Sequence, residues 1–518
     1  MQFFPNFELA AMFFALSKYK NYYKMNKSLS IILSVIVLAI GAYLIIKDFH
    51  KEQIKIWDES ASAEVSVDMY ANNNYLFQYE DGEPKRGTIK PPLNIWPKMI
   101  CYHFFGINEF SVRLPSIIAS LFTMLLLWYF GFFVLKRPRL GILFALILIS
   151  SRGYVSYHVS RTGDPDALLV FFITIAILSL YQLIQKYPVK RNKYYIFLGI
   201  ALLLAMYTKS IMGLAPLAGL GVYTLANKKG RRVLSDLRFY LTTLSALVLI
   251  IAYYVLREYL DPGYLAHVLR YEIFSFKEAP NDWVKHPEFS FYINYLFTEG
   301  FKPFMYIFPL SLLVYLYSKD NTIKELIKFT FWGIIIFILA MSAATLKNEW
   351  YIAPVYPFLA IFTGATLVGI KDIIKSKTKE KHHLIVSIVF VMIIIGLCIN
   401  PIKKIDSANH HYKHSVYYFE REGRFFDSVK QDHPYIKDIG IIIPHHTRQL
   451  QFYINKYEYL DNTNTTIYKD IPGANVVGDT IIACDKDIKS KLPERFSYKV
   501  IDTDEYCKLI KIEKVLND

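Results

Sequence analysis

Long apolar runs constrain the fold of this 518-residue chain more than any other feature of its sequence. About eleven runs reach or approach the ~20 residues that an α-helix needs to cross a bilayer. They lie at residues 28–47, 114–135, 140–158, 167–185, 194–208, 210–226, 239–257, 303–318, 329–346, 350–369 and 384–400. Inside a bilayer, only helices and closed barrels satisfy every backbone polar group. The sequence therefore predicts an all-α polytopic membrane protein.

The positive charge of the chain is concentrated in every second connection between these runs. The net charge is +15 at pH 7, and the basic connections are residues 136–139, 186–193, 228–238, 319–328 and 371–381. Basic connections of this kind face the cytoplasm. We therefore expect residues 1–27 to be cytoplasmic and the first loop, 48–113, to be outside. Nucleic-acid binding is excluded, because no basic patch is interleaved with a recognition motif.

Residues 401–518 differ from the apolar region, 28–400, because they contain no spanning run. Short β-type segments at 440–444, 480–483 and 509–512 alternate with polar and helical stretches. This pattern predicts a small α/β domain, which the alternation of sides places in the periplasm. Cys484 and Cys507 could form a disulfide there, although two free thiols fit the sequence equally well.

The first outer loop contains two motifs that could carry chemistry. Asp58 and Glu59 are either a solvated acidic pair at a helix start or carboxylates for catalysis or metal binding. Lys90 precedes Pro91 and Pro92, which favour an extended backbone at the lysine. A lysine held in this way suits a phosphate group. The alternative is a lysine at a helix start whose ammonium reaches the membrane interface.

Further polar residues are predicted on the same outer face. Asp164 and Asp166 precede the fourth run, where they either cap a helix or join the first loop in a site. Lys209 interrupts an apolar stretch, and a lysine near membrane depth favours a functional role. Lys347 and Tyr351 lie in another outer turn. HExxH, GxSxG and Walker motifs are absent, which disfavours zincins, serine hydrolases and P-loop ATPases.

Five motifs follow one another along residues 28–370. They are Asp58-Glu59, Lys90-Pro91-Pro92-Leu93, the acid after the third span, Thr208-Lys209-Ser210 and Tyr351-x-x-Pro354-x-x-Pro357. As a set they resemble the polyprenyl-phosphate-sugar-dependent glycosyltransferases of the GT-C fold. The resemblance is greatest to the bacterial branch that contains aminoarabinose transferases of lipid A and relatives of protein O-mannosyltransferases.

This resemblance implies an enzyme of the bacterial inner membrane that uses a sugar linked to undecaprenyl phosphate. The acceptor would be a lipid, a glycan or a protein at the periplasmic face. Asp58 would be the catalytic base or a carboxylate that orients the acceptor, and Lys90, Arg270 and Tyr351 would hold the donor phosphate. Lys209 and Lys347 are further candidates for binding that phosphate.

The second acid of the family falls on Asp164 or Asp166, and its spacing to the following phenylalanines mildly favours Asp166. Glu59 remains a further catalytic candidate. Ile89 stands where aminoarabinose transferases often carry an acid, which puts an aminoarabinose donor in doubt. A divalent cation is an optional cofactor with no assigned ligands.

Two other functional classes compete with the transferase hypothesis. A transporter or flippase of lipid-linked sugars would more often show related halves and broken helices near the membrane midplane. The polar residues here concentrate instead on one face, and the sequence has no visible repeat. A structural or sensor protein would leave the acids and the lysine-proline motif of the outer loop unexplained.

Overall fold

A computed structural model describes residues 27–516, apart from 56, 78, 81–82, 85–89, 156–157, 188–191, 271–287, 412–420 and 445–447. The predicted N-terminal segment therefore lies outside the described residues, except for Lys27.

The apolar part of the chain is helical. Its helices are α1 (Lys27–Ile46), α2 (Asp58–Ala71), α3 (Trp96–Phe105), α4 (Glu109–Tyr129), α5 (Pro138–Ile149), α6 (Asp166–Lys186), α7 (Asn192–Lys209), α8 (Ala218–Ala226), α9 (Lys228–Leu234), α10 (Leu237–Leu260), α11 (Tyr264–Val268), α12 (Phe291–Tyr295), α13 (Leu310–Tyr317), α14 (Asn321–Ser342), α15 (Tyr356–Lys377) and α16 (His383–His411). Shorter 3-10 or π turns join several of them, notably Pro92–Asn94, Ser210–Leu217 and Glu349–Val355. A two-stranded hairpin of β1 (Tyr79–Glu80) and β2 (Glu83–Pro84) lies in the first loop.

The structure confirms a polytopic helical membrane protein but not the predicted count of eleven spans. Within the described ranges, seven helices are long and apolar enough to cross a membrane. Two further helices meet at a bend of 111°, and the number of spans is eight if they form one span together. Two predicted spans fall on the shorter apolar helices Pro138–Ile149 and Gly213–Ala226. The 12 residues of α5 extend only about 18 Å, which is less than the ~30 Å hydrocarbon core.

Helices α6 and α15 form the centre of the bundle, because almost all of their residues are buried. By contrast, α10 and α16 expose long apolar faces, as expected for helices that contact lipid. The π-helical turn Phe130–Val134, which follows α4, crosses α5 closely at Gly131 and Gly141. A Cβ added to Gly131 would lie 2.2 Å from the Gly141 nitrogen, so side chains do not fit at this crossing.

The C-terminal segment forms a separate sheet with flanking helices. Its elements are α17 (Arg421–Asp432), β3 (Asp438–Ile442), α18 (Arg448–Asp461), β4 (Asn464–Tyr468), β5 (Thr480–Ala483), α19 (Lys486–Arg495), β6 (Phe496–Thr503) and β7 (Lys508–Val515). The strand order is β4-β3-β5-β7-β6. Strand β3 pairs in parallel with β4 and β5, whereas β7 pairs antiparallel with β5 and β6. The predicted fold class, a helical membrane region followed by a small α/β unit, is confirmed.

A disulfide joins Cys484, which follows β5, to Cys507, which precedes β7. The sequence fits either a disulfide or two free thiols, and the structure contains the disulfide.

The sheet unit packs directly on the first loop. Helix α18 lies against α2, and one apolar cluster contains residues from both sides of this contact. Its members include Ile54, Ala63, Val67, Ile107, Val112, Leu450, Tyr453, Ile454 and Tyr457. The helix that begins at Asp58 therefore shares a core with the C-terminal unit.

Candidate active site

Asp58 and Lys90, which are 32 residues apart in sequence, meet at one end of the bundle. Asp58 is the first residue of α2, and it follows Trp57, whose φ of 76° is rare for a bulky residue. Lys90 Nζ lies 3.5 Å from Asp58 Oδ1, and both side chains are partly exposed. The Lys90 charge lowers the pKa of Asp58 to about 2, against the opposing effect of burial. Asp58 is therefore ionised at neutral pH. We call this end of the bundle the polar end.

Glu59, the next residue, has a different environment. Its carboxylate accepts two hydrogen bonds from Arg113, at 2.7 Å from Nε and 2.9 Å from Nη2, and both side chains are buried. The backbone nitrogens of Lys55 and Gly163 donate to the same carboxylate at 2.7 and 2.8 Å. A buried carboxylate with four donors has little capacity left to accept a proton. This geometry favours a positioning role for Glu59 over the catalytic role that the sequence suggests.

The Gly163 peptide joins the first loop to the connection between α5 and α6. Its carbonyl accepts from Lys98 Nζ at 2.6 Å, Ser62 Oγ at 3.2 Å and Asn94 Nδ2 at 3.3 Å. Burial lowers the pKa of Lys98 to about 7, although the nearby Asp164 and Glu59 carboxylates raise it. Donors from α2, α3 and the Pro92–Asn94 turn therefore fix the peptide that precedes Asp164.

Arg161 holds the other side of this connection. Its guanidinium donates to the carbonyls of Leu44 and Lys47, at 2.8 and 2.7 Å, where α1 ends. Carbonyls at a helix C-terminus have no partner within the helix, so a cation there satisfies them. The connection that carries Asp164 is thus fixed to α1 as well as to the first loop.

Asp164 and His158 lie beside Asp58. The ligand atoms of these three residues are all within 4.8 Å of one another. His158 Nδ1 is 3.4 Å from Asp164 Oδ1, and the Thr162 hydroxyl donates to the other Asp164 oxygen. The His158 ring stacks on Trp350, with ring centroids 3.6 Å apart. Two carboxylates and an imidazole in this arrangement can bind a divalent cation.

Asp166 forms a second polar pair nearby. Lys209, at the end of α7, donates to Asp166 Oδ1 at 2.8 Å. The same ammonium lies 5.2 Å from the centre of the Tyr351 ring. Of the two acids that the sequence leaves open, Asp164 therefore lies with Asp58, whereas Asp166 is paired with Lys209. This placement favours Asp164 as the second acid, although the spacing argument mildly favours Asp166.

The other two predicted phosphate ligands, Arg270 and Lys347, differ in exposure. Arg270 is exposed where the described part of its loop ends, and Lys347 is buried beside Asn348. Their roles stay predictions.

Sequence reasoning missed His158, Lys98 and Arg113. The first precedes Asp164 by six residues in an outer connection, which is a weak signal for a shared site. The other two resemble ordinary basic residues near helix starts.

Comparisons with known proteins agree with this architecture. Residues 89–255 match the family described as dolichyl-phosphate-mannose-protein mannosyltransferase. The crystal structure of ArnT from Cupriavidus metallidurans bound to undecaprenyl phosphate superposes with a TM-score of 0.63. It is 16% identical, and the match covers 94% of this chain and 98% of that one. The chain has the GT-C fold. The resemblance that the sequence motifs predict is thereby confirmed.

Two curated relatives are undecaprenyl phosphate-alpha-4-amino-4-deoxy-L-arabinose arabinosyl transferases. The protein of Wigglesworthia glossinidia brevipalpis is 29% identical over 198 residues, which are 37% of this chain and 34% of the relative. The protein of Aeromonas hydrophila is 25% identical over 324 residues, which are 62% of this chain and 57% of the relative. Each match spans less than two thirds of the relative's length.

Proposed function

We propose that this GT-C protein transfers a sugar from a polyprenyl phosphate, such as undecaprenyl phosphate, to a lipid, glycan or protein acceptor. The observation that carries the proposal is the Asp58–Lys90 pair, with Oδ1 and Nζ 3.5 Å apart at the polar end of an apolar bundle. A carboxylate that can act as a base and a cation that can bind a phosphate are what this reaction needs. The names of the two curated relatives support the same class of donor.

The proposed reaction is a single displacement at the anomeric carbon of the sugar. The acceptor oxygen forms a bond to this carbon while the bond from the carbon to the phosphate oxygen breaks. Asp58 takes the proton of the acceptor hydroxyl, and the departing polyprenyl phosphate keeps the electron pair. Lys90 stabilises the negative charge that develops on that phosphate. One displacement inverts the anomeric configuration.

Donor binding would also activate the base. Without donor, the Lys90 ammonium holds the pKa of Asp58 at about 2, so the carboxylate is a weak base. A donor phosphate competes for the same ammonium and adds negative charge beside the carboxylate. Both effects raise the pKa of Asp58. The base therefore becomes effective when the donor is in place.

Lys209 and Tyr351 are assigned to the donor-phosphate side of the site. Lys209 is nearly buried and lies between the Asp166 carboxylate and the Tyr351 ring. Its charge is therefore held in a fixed position in a poorly solvated region, where it acts more strongly than in water. We keep Arg270 and Lys347 as further phosphate ligands on the basis of the sequence motifs.

The cluster of Asp58, His158 and Asp164 fits a divalent cation, because its two carboxylates and one imidazole converge. A cation held there would supply positive charge next to the departing phosphate. Mass spectrometry of purified protein, incubated with Mn²⁺ and then desalted, tests this assignment. Wild type should retain the metal and His158→Ala should not, whereas equal retention would contradict the assignment.

We place the polar end on the periplasmic side of the bacterial inner membrane. The basic connections predict this orientation. The Cys484–Cys507 disulfide supports it, because disulfides persist in the periplasm and are rare in the cytosol.

The experiment that tests the proposed function is transfer of radiolabelled sugar from polyprenyl-phosphate donors in membranes. We expect Asp58→Asn to lower transfer by at least about 100-fold, since general base catalysis contributes about 10²–10⁴-fold, while donor still binds. Lys90→Ala should weaken donor binding as well as transfer. Asp68→Asn, near the other end of α2, is the matched control and should stay active.

Full transfer by Asp58→Asn would refute the assigned base. Movement of labelled donor across vesicles without any transfer by wild type would favour a flippase instead.

A further inference from the structure

Tyr453 of the C-terminal unit contacts the first loop close to the candidate active site. Tyr453, on α18, is 1% exposed, although its hydroxyl lies at the boundary between the sheet unit and the first loop. That hydroxyl donates to Glu109 Oε1 at 2.6 Å and accepts from the Ile54 nitrogen at 3.4 Å. On the opposite side, a Cβ added to Gly423 would lie 2.6 Å from the Tyr453 ring. The ring is therefore fixed between α17 and the first loop.

Both hydrogen-bond partners of the Tyr453 hydroxyl lie close in sequence to residues that bind the Glu59 carboxylate. Ile54 precedes Lys55, whose backbone nitrogen donates to Glu59 Oε2 at 2.7 Å. Glu109 is the first residue of α4, one helical turn before Arg113, which binds the Glu59 carboxylate. Glu59 adjoins Asp58 at the start of α2. A single hydroxyl of the C-terminal unit thus connects the two segments that hold this helix start.

The surrounding contacts make this connection rigid. Tyr70, near the end of α2, packs edge-on against Tyr459 of α18, with ring centroids 5.8 Å apart. Helices α2 and α18 also share the apolar cluster described above. Small displacements of one helix are therefore transmitted to the other, because close-packed interiors are not readily deformed.

We propose that Tyr453 is a positioning residue, through which the C-terminal unit sets the place of Asp58 at the start of α2. The catalytic consequence rests on the proposed function, in which Asp58 is the base. Tyr453 does not touch the reacting atoms in this proposal. It acts through Ile54, Glu109 and the Glu59–Arg113 pair. The C-terminal unit is then part of the catalytic apparatus, whatever it contributes to acceptor choice.

The test compares Tyr453→Phe with Tyr457→Phe in the purified full-length protein. Each variant keeps its ring and loses one hydroxyl on α18. The Tyr457 hydroxyl donates to Asp427 Oδ1 at 3.0 Å, so its bond lies within the C-terminal unit. We expect Tyr453→Phe to lower kcat about tenfold with little change in the KM for donor, since a misplacement of about 1 Å can cost 10²-fold. Tyr457→Phe should leave kcat within about twofold of wild type.

Hydrogen exchange of backbone amides provides a readout that does not depend on activity. Tyr453→Phe should speed exchange in residues 54–62, whereas Tyr457→Phe should leave these amides at the wild-type rate. Unchanged exchange in Tyr453→Phe would overturn the inference, whatever the transfer assay shows. Equal losses of kcat in the two variants would also overturn it, because they would indicate only a less stable C-terminal unit.

The same experiments distinguish failure of the inference from failure of the proposed function. If wild type transfers no sugar but Tyr453→Phe still loosens residues 54–62, the positional coupling holds and the proposed reaction fails. If wild type transfers sugar and Tyr453→Phe matches it in kcat and exchange, the inference alone fails.

Discussion

Two adjacent acids in the first loop, Asp58 and Glu59, have different surroundings. Asp58 is partly exposed, and its carboxylate lies 3.5 Å from the Lys90 ammonium. Glu59 is buried and accepts hydrogen bonds from Arg113, Lys55 and Gly163. A carboxylate that must accept a proton needs free access to its substrate, whereas one that orders a loop needs fixed donors. In the proposed reaction, the acidic pair therefore comprises one reacting group, Asp58, and one supporting group, Glu59.

The Asp58–Lys90 pair makes a prediction about pH. Lys90→Ala should raise the pKa of Asp58 from about 2 toward the ordinary ~3.9 of an aspartate. In the proposed reaction Asp58 acts as the carboxylate, so activity should be lost as the pH falls through its pKa. The acid limb of kcat/KM, measured on the residual activity of the variant, should therefore lie about one to two pH units higher than in wild type.

Lys51→Ala is the control for this profile, because Lys51 lies in the same loop but pairs with Asp48. Lys51→Ala should leave the acid limb of kcat/KM at the same pH as in wild type. A limb that does not move in Lys90→Ala would mean that Lys90 is not what lowers the pKa of Asp58.

At the scale of elements, one connection is held by three separate parts of the bundle. The segment between α5 and α6 carries His158, Arg161 and Asp164. Arg161 ties it to the end of α1, and the Gly163 carbonyl ties it to α2 and α3. These hydrogen bonds favour one conformation of residues 161–164, as a preorganised site requires.

Gly163→Ala tests whether that conformation matters. A Cβ at this position would lie 2.6 Å from Val112 Cγ1 and 3.0 Å from the Val112 carbonyl oxygen. The peptide must shift, and Asp164 shifts with it. We expect transfer to fall by up to about 100-fold, as for other small misplacements of catalytic groups, with a lower thermal midpoint.

Gly221→Ala is the matched control, because a Cβ there meets nothing within 4 Å. Gly221 lies inside α8, where alanine is the better helix former, so the midpoint should stay the same or rise slightly. Wild-type transfer by Gly163→Ala would show that the close approach to Val112 is not needed.

At the scale of the whole molecule, the C-terminal sheet unit packs against the first loop of the membrane bundle, which carries Asp58. The sheet unit has a small apolar core of its own, made by β3, β5, β7 and α19. Its second core is shared with the first loop. The stability of the sheet unit should therefore affect the activity of the bundle.

The disulfide provides a test of this dependence. Replacing both Cys484 and Cys507 with serine reopens a loop with a sequence separation of 23. We expect a loss on the order of 2–4 kcal/mol in the stability of the sheet unit, as is usual for such cross-links. Thermal unfolding followed by circular dichroism should show an earlier transition, and transfer should be lost at a lower temperature.

In wild type, dithiothreitol should also cause an earlier unfolding transition and a loss of transfer at a lower temperature. It should have no further effect on the double variant. Retained transfer at temperatures where the sheet unit has unfolded would contradict the dependence.

The sheet unit also shows which strands a sequence can reveal. The predicted segments overlap β3, β5 and β7, which are the three central strands. The missed strands, β4 and β6, are the two edges. An edge strand needs little apolar surface, and β6 also contains register shifts that break its alternation. The signal was therefore present only in the strands with several buried apolar residues.

The sequence by itself predicted a bundle of membrane helices, although not their number, and it indicated the first-loop acids, Lys90 and Lys209 as candidate site residues. These follow from local physics, since a run's length and a charge near membrane depth are visible without knowing any neighbour. Only the tertiary structure decided that Asp164 lies with Asp58, that Asp166 pairs with Lys209, and that Tyr453 supports the start of α2. Each of these contacts joins residues tens to hundreds of positions apart. Such contacts depend on how the helices and the sheet unit pack, and packing leaves no periodic signal in the chain.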